Sequence, residues 1–201
     1  MQSLQQRLKM ILPLVLFTMT GLTSRAQVVE PFKSGHPIDV GVNYTYIHTN
    51  ILSGCQCFSL NGGGAVLQIG LAPHWSGIVD FTGTSRSGIT QDNYNLTQFT
   101  YTFGLRYEPP IERYRVRLFG DALAGSSYTS GSLSPQNAIG ATSTVFALQT
   151  GGGLLVRLTP RLQIMPAQVE YLRTNFHNQA ANHQNDVRAS AGILVRLGHS
   201  R

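Results

Sequence analysis

Charged side chains stand at every second position in several segments of this sequence, and ion pairing is the chemistry that this spacing favours. In YRVRLFGDALAG, for example, Arg115, Arg117 and Asp121 share one side of an alternating pattern. The same side of eight such segments holds these charged residues: Asp39, Asp80, Arg106, Arg115, Arg117, Asp121, Arg157, Glu170, Arg188 and Arg196. We predict that they face a closed interior, where buried charges must be paired. Two interpretations stay open: ion pairs that seal the interior, or a ring of arginines that passes anions.

The triplet HWS, His74 to Ser76, is an arrangement that could do covalent chemistry. Serine becomes a nucleophile when a base lies within hydrogen-bond reach and an acid orients that base. The triplet resembles the His-x-Ser of lipid A deacylase barrels, which would imply an outer-membrane lipid-modifying enzyme. No acid in the sequence is placed to complete such a set. We therefore predict that Trp75 is a membrane-interface anchor and that the chain has no catalytic residue.

Cys55 and Cys57 lie in one predicted loop and form a candidate disulfide pair, because an even cysteine count in a secreted chain favours oxidation. The alternative, a metal-binding pair, has only His48 nearby. His177 and His183, in a later loop, are predicted to be solvated. The sequence therefore predicts no metal site and no cofactor.

The first residues have the layout of a secretory signal peptide. Arg7 and Lys9 precede an apolar run, and a small-x-small triplet ends at Ala26, so we predict cleavage between Ala26 and Gln27. The predicted organisation is a signal peptide over 1–26, a periplasmic lead-in over 27–36 and one β-domain over 37–201.

The charge composition does not indicate nucleic-acid binding. The chain carries 15 Lys+Arg against 9 Asp+Glu, a formal net charge of +6, but part of this excess lies in the signal peptide. Lys33 is the only lysine beyond residue 26, whereas nucleic-acid surfaces cluster lysine and arginine together. Arginine alone suits buried ion pairs, since its charge is permanent and its planar group binds a carboxylate through two bonds.

Eight segments that alternate apolar and polar residues predict eight β-strands. They cover 37–47, 59–71, 75–83, 94–107, 114–125, 145–158, 162–174 and 189–201. The breaks between them alternate long and short, with both chain ends on the short side, and we predict bulges near Val66 and Pro166. Beyond residue 26 no apolar run reaches the roughly 20 residues of a membrane-spanning helix. The pattern predicts an all-β fold, a closed, antiparallel, up-and-down, eight-stranded transmembrane β-barrel.

The other side of these strands carries no charge, so we predict that it faces lipid, where an Arg or Lys would cost about 2 to 4 kcal/mol. Aromatic residues near strand ends predict two interfacial girdles: Tyr46, Phe58, Tyr94, Tyr107, Tyr114, Tyr128, Phe146 and Phe176. The alternative is a soluble barrel of lipocalin type, with its apolar faces turned inward.

This pattern resembles the small OmpA/OmpX-type eight-stranded outer-membrane barrels and, more loosely, the porin-like outer-membrane β-barrel domain. Its most specific part is the C-terminal assembly signal of such proteins, matched by Ser190, Gly192, Val195 and Leu197, with leucine in place of the usual aromatic residue. The resemblance implies a bacterial outer-membrane location with both termini in the periplasm. It also implies three kinds of partner: outer-membrane lipid, the assembly machinery and a surface ligand at the long loops. We predict a structural or surface-interaction role without catalysis; an anion-preferring pore and a lipid-modifying enzyme are the alternatives.

Overall fold

The computed structural model describes residues 37–49, 57–89, 94–110, 112–113, 115–131, 142–176 and 183–197 of the 201-residue chain. The strands are β1 (Ile38–Thr49), β2 (Phe58–Ala72), β3 (Trp75–Ile89), β4 (Tyr94–Tyr107), β5 (Glu112–Arg113), β6 (Val116–Ser130), β7 (Thr142–Arg157), β8 (Leu162–Thr174) and β9 (Gln184–Leu197). In these ranges there is no helix with the length and apolarity needed to cross a membrane.

The eight long strands form one closed antiparallel barrel. Neighbours in sequence pair with each other, β1 pairs with β9, and β4 pairs with β6. The two-residue β5 adds to the start of β6 only. Because the sheet closes on itself, its long strands have no unpaired edge. The predicted fold class is confirmed.

The strands turn their apolar side outward. Along β1 exposed and buried residues alternate at every position: Asp39, Asn43 and Thr45 are buried, while Val42 and Tyr44 are exposed. A soluble barrel would show the reverse pattern, with apolar residues inside and polar residues in water. The lipocalin-type alternative therefore does not fit this chain.

The two predicted irregularities have different outcomes. The prediction near Pro166 is confirmed, because the β8–β9 register shifts between Met165 and Gln168. The prediction near Val66 is wrong, since the β1–β2 register runs without interruption past that residue. Gly62 to Gly64 have no side chains, so the alternation is hidden there without any break in the strand.

The outward surface is not entirely free of charge. Arg173 continues the outward face of Val169 and Tyr171. Arg86 is exposed at the end of β3, which extends beyond the predicted segment, but it keeps the inward phase of Thr84 and pairs with the buried Leu96. Both arginines lie at the end of the barrel that carries the connections 50–57, 90–93, 131–141 and 175–183. We call this the loop end, and the opposite end, with both termini of the barrel, the turn end. The prediction of a charge-free outward face is thus wrong at Arg173.

Candidate functional site

Charged side chains fill the lumen of the barrel, beginning at the turn end. There Arg196 donates from Nε and Nη2 to Asp39 at 2.9 Å and 3.1 Å. Arg117 donates to both Glu108 and Gln163. Gln163 in turn donates to Asp39 at 3.2 Å. These five residues link β1, β6, β8, β9 and the segment after β4 across the mouth of the barrel.

Arg106 and Asp121 form the next ion pair, and it is fully buried. Arg106 donates from Nε and Nη2 to the two carboxylate oxygens of Asp121, each at 2.8 Å. Its remaining Nη1 donates to Gln68 at 3.1 Å, and its guanidinium lies 3.8 Å above the ring of Phe119. Bidentate geometry and a cation–π contact compensate the loss of water around this arginine.

Arg188 holds a third cluster deeper in the lumen. It donates to both oxygens of Asp80 at 3.0 Å and to Thr82 at 2.8 Å. Its Nη1 lies 3.4 Å from Glu170. All three charged side chains are almost completely inaccessible to solvent, so each depends on the others for compensation.

Glutamine side chains join these clusters into one continuous structure. Gln68 donates to Glu108 at 2.8 Å while it accepts from Arg106. Gln168 donates to Asp121 at 3.0 Å and to Glu170 at 2.8 Å. We call the connected set the lumen network: Asp39, Gln68, Asp80, Thr82, Arg106, Glu108, Arg117, Asp121, Gln149, Gln163, Gln168, Glu170, Arg188 and Arg196.

Apolar side chains pack at two levels of the same lumen. One cluster lies toward the turn end and consists of Val66, Ile78, Phe119, Leu123, Leu155, Met165 and Leu194. The other lies toward the loop end and consists of Ile47, Phe58, Leu60, Ile89, Leu96, Ala147 and Leu172. The lumen is therefore packed with side chains, as expected for a barrel of eight strands.

Inward-facing glycines make room for this network. A Cβ at Gly64 would lie 2.8 Å from the side-chain oxygens of both Asn43 and Thr82, and one at Gly151 would lie 2.8 Å from Cγ of Glu170. Either distance is shorter than nonbonded atoms accept, so these positions require the absence of a side chain. The glycines at these two positions therefore relieve crowding inside the barrel.

The predicted lumen charges fall where alternation placed them, with one exception. Nine of the ten face the interior, with Arg157 half-buried beside the mouth. Arg115 does not: it is exposed and has a φ of 69° in the turn before β6. The left-handed turn, which few residues other than glycine adopt, breaks the alternation on which the prediction depended.

Two buried acids are not among the ten predicted lumen charges. Glu108 is buried and bonded to Arg117, although it lies just beyond the predicted segment 94–107. Asp186 is also buried, at the loop-end side of β9. Among the described inward residues that are buried or half-buried, the acids are Asp39, Asp80, Glu108, Asp121, Glu170 and Asp186, and the arginines are Arg106, Arg117, Arg157, Arg188 and Arg196. The ten predicted lumen charges held six arginines against four acids, whereas this set holds five arginines against six acids. It therefore has no excess of positive charge that would favour an anion pore.

The sequence of this barrel matches the model of a known protein family. A family model described as "Outer membrane protein beta-barrel domain" matches residues 14–197. The chain belongs to this outer-membrane β-barrel family. No curated protein matches the chain.

Solved structures share the fold of this outer-membrane barrel at low sequence identity. Ail, the attachment invasion locus protein of Yersinia pestis, is 16% identical with a TM-score of 0.57, over 81% of this chain and 99% of Ail. Neisserial surface protein A is 13% identical with a TM-score of 0.59, over 80% of this chain and 97% of that one. OprG of Pseudomonas aeruginosa is 11% identical with a TM-score of 0.52, over 82% and 97%.

The turn end of this outer-membrane barrel opens into a cavity of about 700 Å³, and its lining includes His74 and Ser76. Ser76 is buried and accepts a hydrogen bond from Gln68 at 3.2 Å. His74 is exposed, with a φ of 70°, and no hydrogen bond joins these two described side chains. The structure therefore does not bring together the base and nucleophile that the lipid-modifying hypothesis requires.

The assembly-signal residues lie on the last strand of the barrel as the alternation predicts. Ser190 faces inward and shares a hydrogen bond with Thr45 at 3.1 Å, whereas Val195 and Leu197 are exposed on the outer wall. Their recognition by the assembly machinery stays a prediction. Ala26, Gln27, Cys55 and His177 lie outside the described residues; Cys57 and His183 are exposed. The disulfide and the cleavage site also stay predictions.

The aromatic prediction for this membrane protein holds in part. Tyr46, Tyr107 and Phe146 are exposed on the outer wall, and Trp75 packs beside Tyr107 with ring centroids 4.9 Å apart. Phe58 and Phe176 are instead buried. Phe58 belongs to the inward face of β2, because β2 keeps one phase throughout. The side chains of Tyr94 and Tyr114 lie outside the described residues, and Tyr128 is half-buried.

Proposed function

We propose that this outer-membrane protein is a sealed, non-conducting barrel with a structural or surface-interaction role. The observation that carries the proposal is the lumen network, which connects strands on opposite sides of the barrel and leaves its arginines paired with acids. Apolar clusters pack around it at two levels. An ion entering this lumen would have to break buried ion pairs, which are costly to separate.

The surface role is supported by the geometry of the two ends. Outer-membrane barrels have short periplasmic turns and longer extracellular loops. In this chain the connection between β2 and β3 is only 73–74 and that between β7 and β8 only 158–161. Of the four connections at the loop end, 90–93 is equally short, but 50–57, 131–141 and 175–183 are longer. The loop end would therefore face the exterior and present a surface to a ligand, and both termini of the barrel would lie in the periplasm.

Planar-bilayer recording tests the sealed lumen. We expect no resolvable single-channel steps from the refolded wild-type barrel, because the lumen network occupies the cross-section. The competing function, an anion-preferring pore, draws support from the open cavity at the turn end, which is lined in part by Arg117, Arg157 and Arg196.

That pore would give anion-selective steps whose size falls in Arg117→Ala. Arg115→Ala is the matched control, because Arg115 is exposed in a turn outside the lumen. Steps that shrink in Arg117→Ala and stay unchanged in Arg115→Ala would contradict the proposal and establish the pore.

A further inference from the structure

The cavity at the turn end has a polar floor and a largely apolar rim. We call it the mouth pocket, and its volume of about 700 Å³ is that of a site for a small organic molecule. Three buried polar side chains of its lining, those of Asp39, Gln68 and Ser76, form the floor. The apolar lining closer to solvent includes Pro37, Pro73, Trp75, Pro109 and Pro110. A molecule that fills this pocket therefore needs a polar group at one end and an apolar body at the other.

Backbone hydrogen bonds hold the wall of the mouth pocket in place. The N–H of Gly70 donates to the carbonyl oxygen of Pro37 at 3.0 Å, and the N–H of Glu108 donates to the carbonyl oxygen of His74 at 2.8 Å. A Cβ at Gly70 would lie 2.9 Å from Cδ of Pro37, so these two segments pack closely. The prolines of the rim have a fixed φ. The pocket is therefore preformed, which lowers the entropy that a ligand must offset on binding.

The polar groups that remain available in the mouth pocket are hydrogen-bond donors. The carboxylate of Asp39 already accepts three hydrogen bonds and that of Glu108 two. Arg196 uses Nε and Nη2 for Asp39, and its Nη1 donates to no residue that the structure describes. Ser76 accepts from Gln68, so its own hydroxyl proton is free for a further acceptor. These donors suit a ligand that brings a negatively charged oxygen.

His74 adds a donor at the rim, in a backbone conformation that glycine adopts without strain. It is the second residue of the connection 73–74 and has a φ of 70°. Few residues other than glycine adopt this left-handed conformation, and those that do are often found at binding sites. His74 lines the pocket, and its imidazole makes no hydrogen bond to the described residues. The turn therefore places an unbonded imidazole beside the pocket at some cost in backbone energy.

We propose that the mouth pocket binds a small organic carboxylate with an apolar body. The carboxylate accepts hydrogen bonds from Ser76, Arg196 and His74, and bonds of this kind are strong because the acceptor is charged. The apolar body packs against the prolines of the rim and Trp75. A single negative charge suits this site better than the double charge of phosphate, because the two carboxylates of the lining repel the second charge. The site depends neither on the orientation of the barrel in the membrane nor on whether the lumen conducts.

Calorimetric titration of the refolded barrel in detergent tests this proposal. The probe is N-acetyl-leucyl-leucine, and its C-terminal amide has the same apolar body without the charge. We expect the acid to bind saturably and the amide to bind at least about tenfold more weakly, because the amide loses the charge-assisted hydrogen bonds. Binding of the acid should also change the fluorescence of Trp75, the only tryptophan, since this residue lines the pocket.

His74→Gly separates binding from folding. We expect this variant to bind the acid about tenfold more weakly, the effect of losing one hydrogen bond to a charged group. Its urea midpoint should be unchanged or higher, because glycine relieves the left-handed backbone at this position. Arg161→Gln is the matched control: it alters an exposed arginine in the turn 158–161 at the same end of the barrel, outside the pocket lining, and should bind like wild type.

Acid-selective binding that is weakened in His74→Gly and kept in Arg161→Gln supports the proposal. Absence of saturable binding would overturn it, as would equal binding of the acid and the amide or equal binding by His74→Gly and wild type. Inorganic phosphate that binds as tightly as the acid would indicate a general anion site and would also overturn it. Binding of the acid without a change in Trp75 fluorescence would place the probe elsewhere on the barrel, with the same consequence. The mobility shift of each unboiled sample on a gel reports separately whether the barrel has folded.

Discussion

Replacing Arg106 with alanine is expected to lower the free energy of unfolding by about 3 to 5 kcal/mol, the usual cost of removing one partner of a buried pair. The side chain of Asp121 has 0% exposure, so the variant leaves its charge buried opposite an empty site. Gln68 also loses a donor, and Phe119 loses the guanidinium above its ring. Urea titration of the refolded barrel, followed by the fluorescence of Trp75, the only tryptophan, measures the change.

Two controls show whether this loss comes from the unpaired charge. Arg115→Ala removes an arginine from an exposed turn and should change the stability by no more than about 0.5 kcal/mol. The double variant Arg106→Met, Asp121→Leu removes both charges and should recover most of the loss, because no buried charge lacks a partner. An Arg106→Ala barrel as stable as Arg115→Ala would contradict the assigned structure of the lumen network.

Phe103→Arg should destabilise the barrel in lipid vesicles by about 2 to 4 kcal/mol, the cost of arginine near the bilayer midplane. Phe103 is 68% exposed on the outer wall of β4. In a protein surrounded by water, the same substitution on such an exposed ring would be neutral or would improve solubility. The effect therefore distinguishes a lipid-facing wall from a water-facing one, and urea titration in vesicles measures it.

A charge introduced nearer the membrane surface is the control, because the cost of an arginine on the lipid-facing wall falls with distance from the midplane. Asn185→Arg places the same charge on the outer wall at the loop end, where the cost falls to about 0 to 1 kcal/mol. Phe103→Leu keeps the wall apolar and should have only a small effect. Equal stability of Phe103→Arg and Asn185→Arg would contradict the assignment of this wall to lipid.

The fold could be predicted from the sequence because a strand has only two faces. Alternation alone placed Asp39, Arg188 and Arg196 inside, since a lipid-facing charge is too costly. It could not show the partners of these charges. Arg188 bonds to Asp80, which is 108 positions away in sequence, and that meeting depends on strand registers and on the stagger of the closed barrel.

The site residues that were predicted wrongly or not at all depart from regular strand geometry or carry no charge. Arg115 has the spacing of a lumen residue but lies in a left-handed turn. Glu108 lies outside β4 and still reaches Arg117. Gln68 and Gln168 bridge the ion pairs, but a glutamine on an inward face gives no signal in the sequence that distinguishes a bridge from an ordinary polar residue.

Heat-modifiability, combined with outer-membrane fractionation, tests the membrane barrel most directly. The chain is expressed, refolded in detergent, and run on a gel with and without boiling. We predict that the unboiled protein migrates differently from the boiled protein, because the closed barrel resists unfolding by the detergent, and that the expressed protein fractionates with the outer membrane. Equal mobility of both samples, together with solubility in the absence of detergent, would contradict the outward-facing apolar wall and every membrane assignment that depends on it.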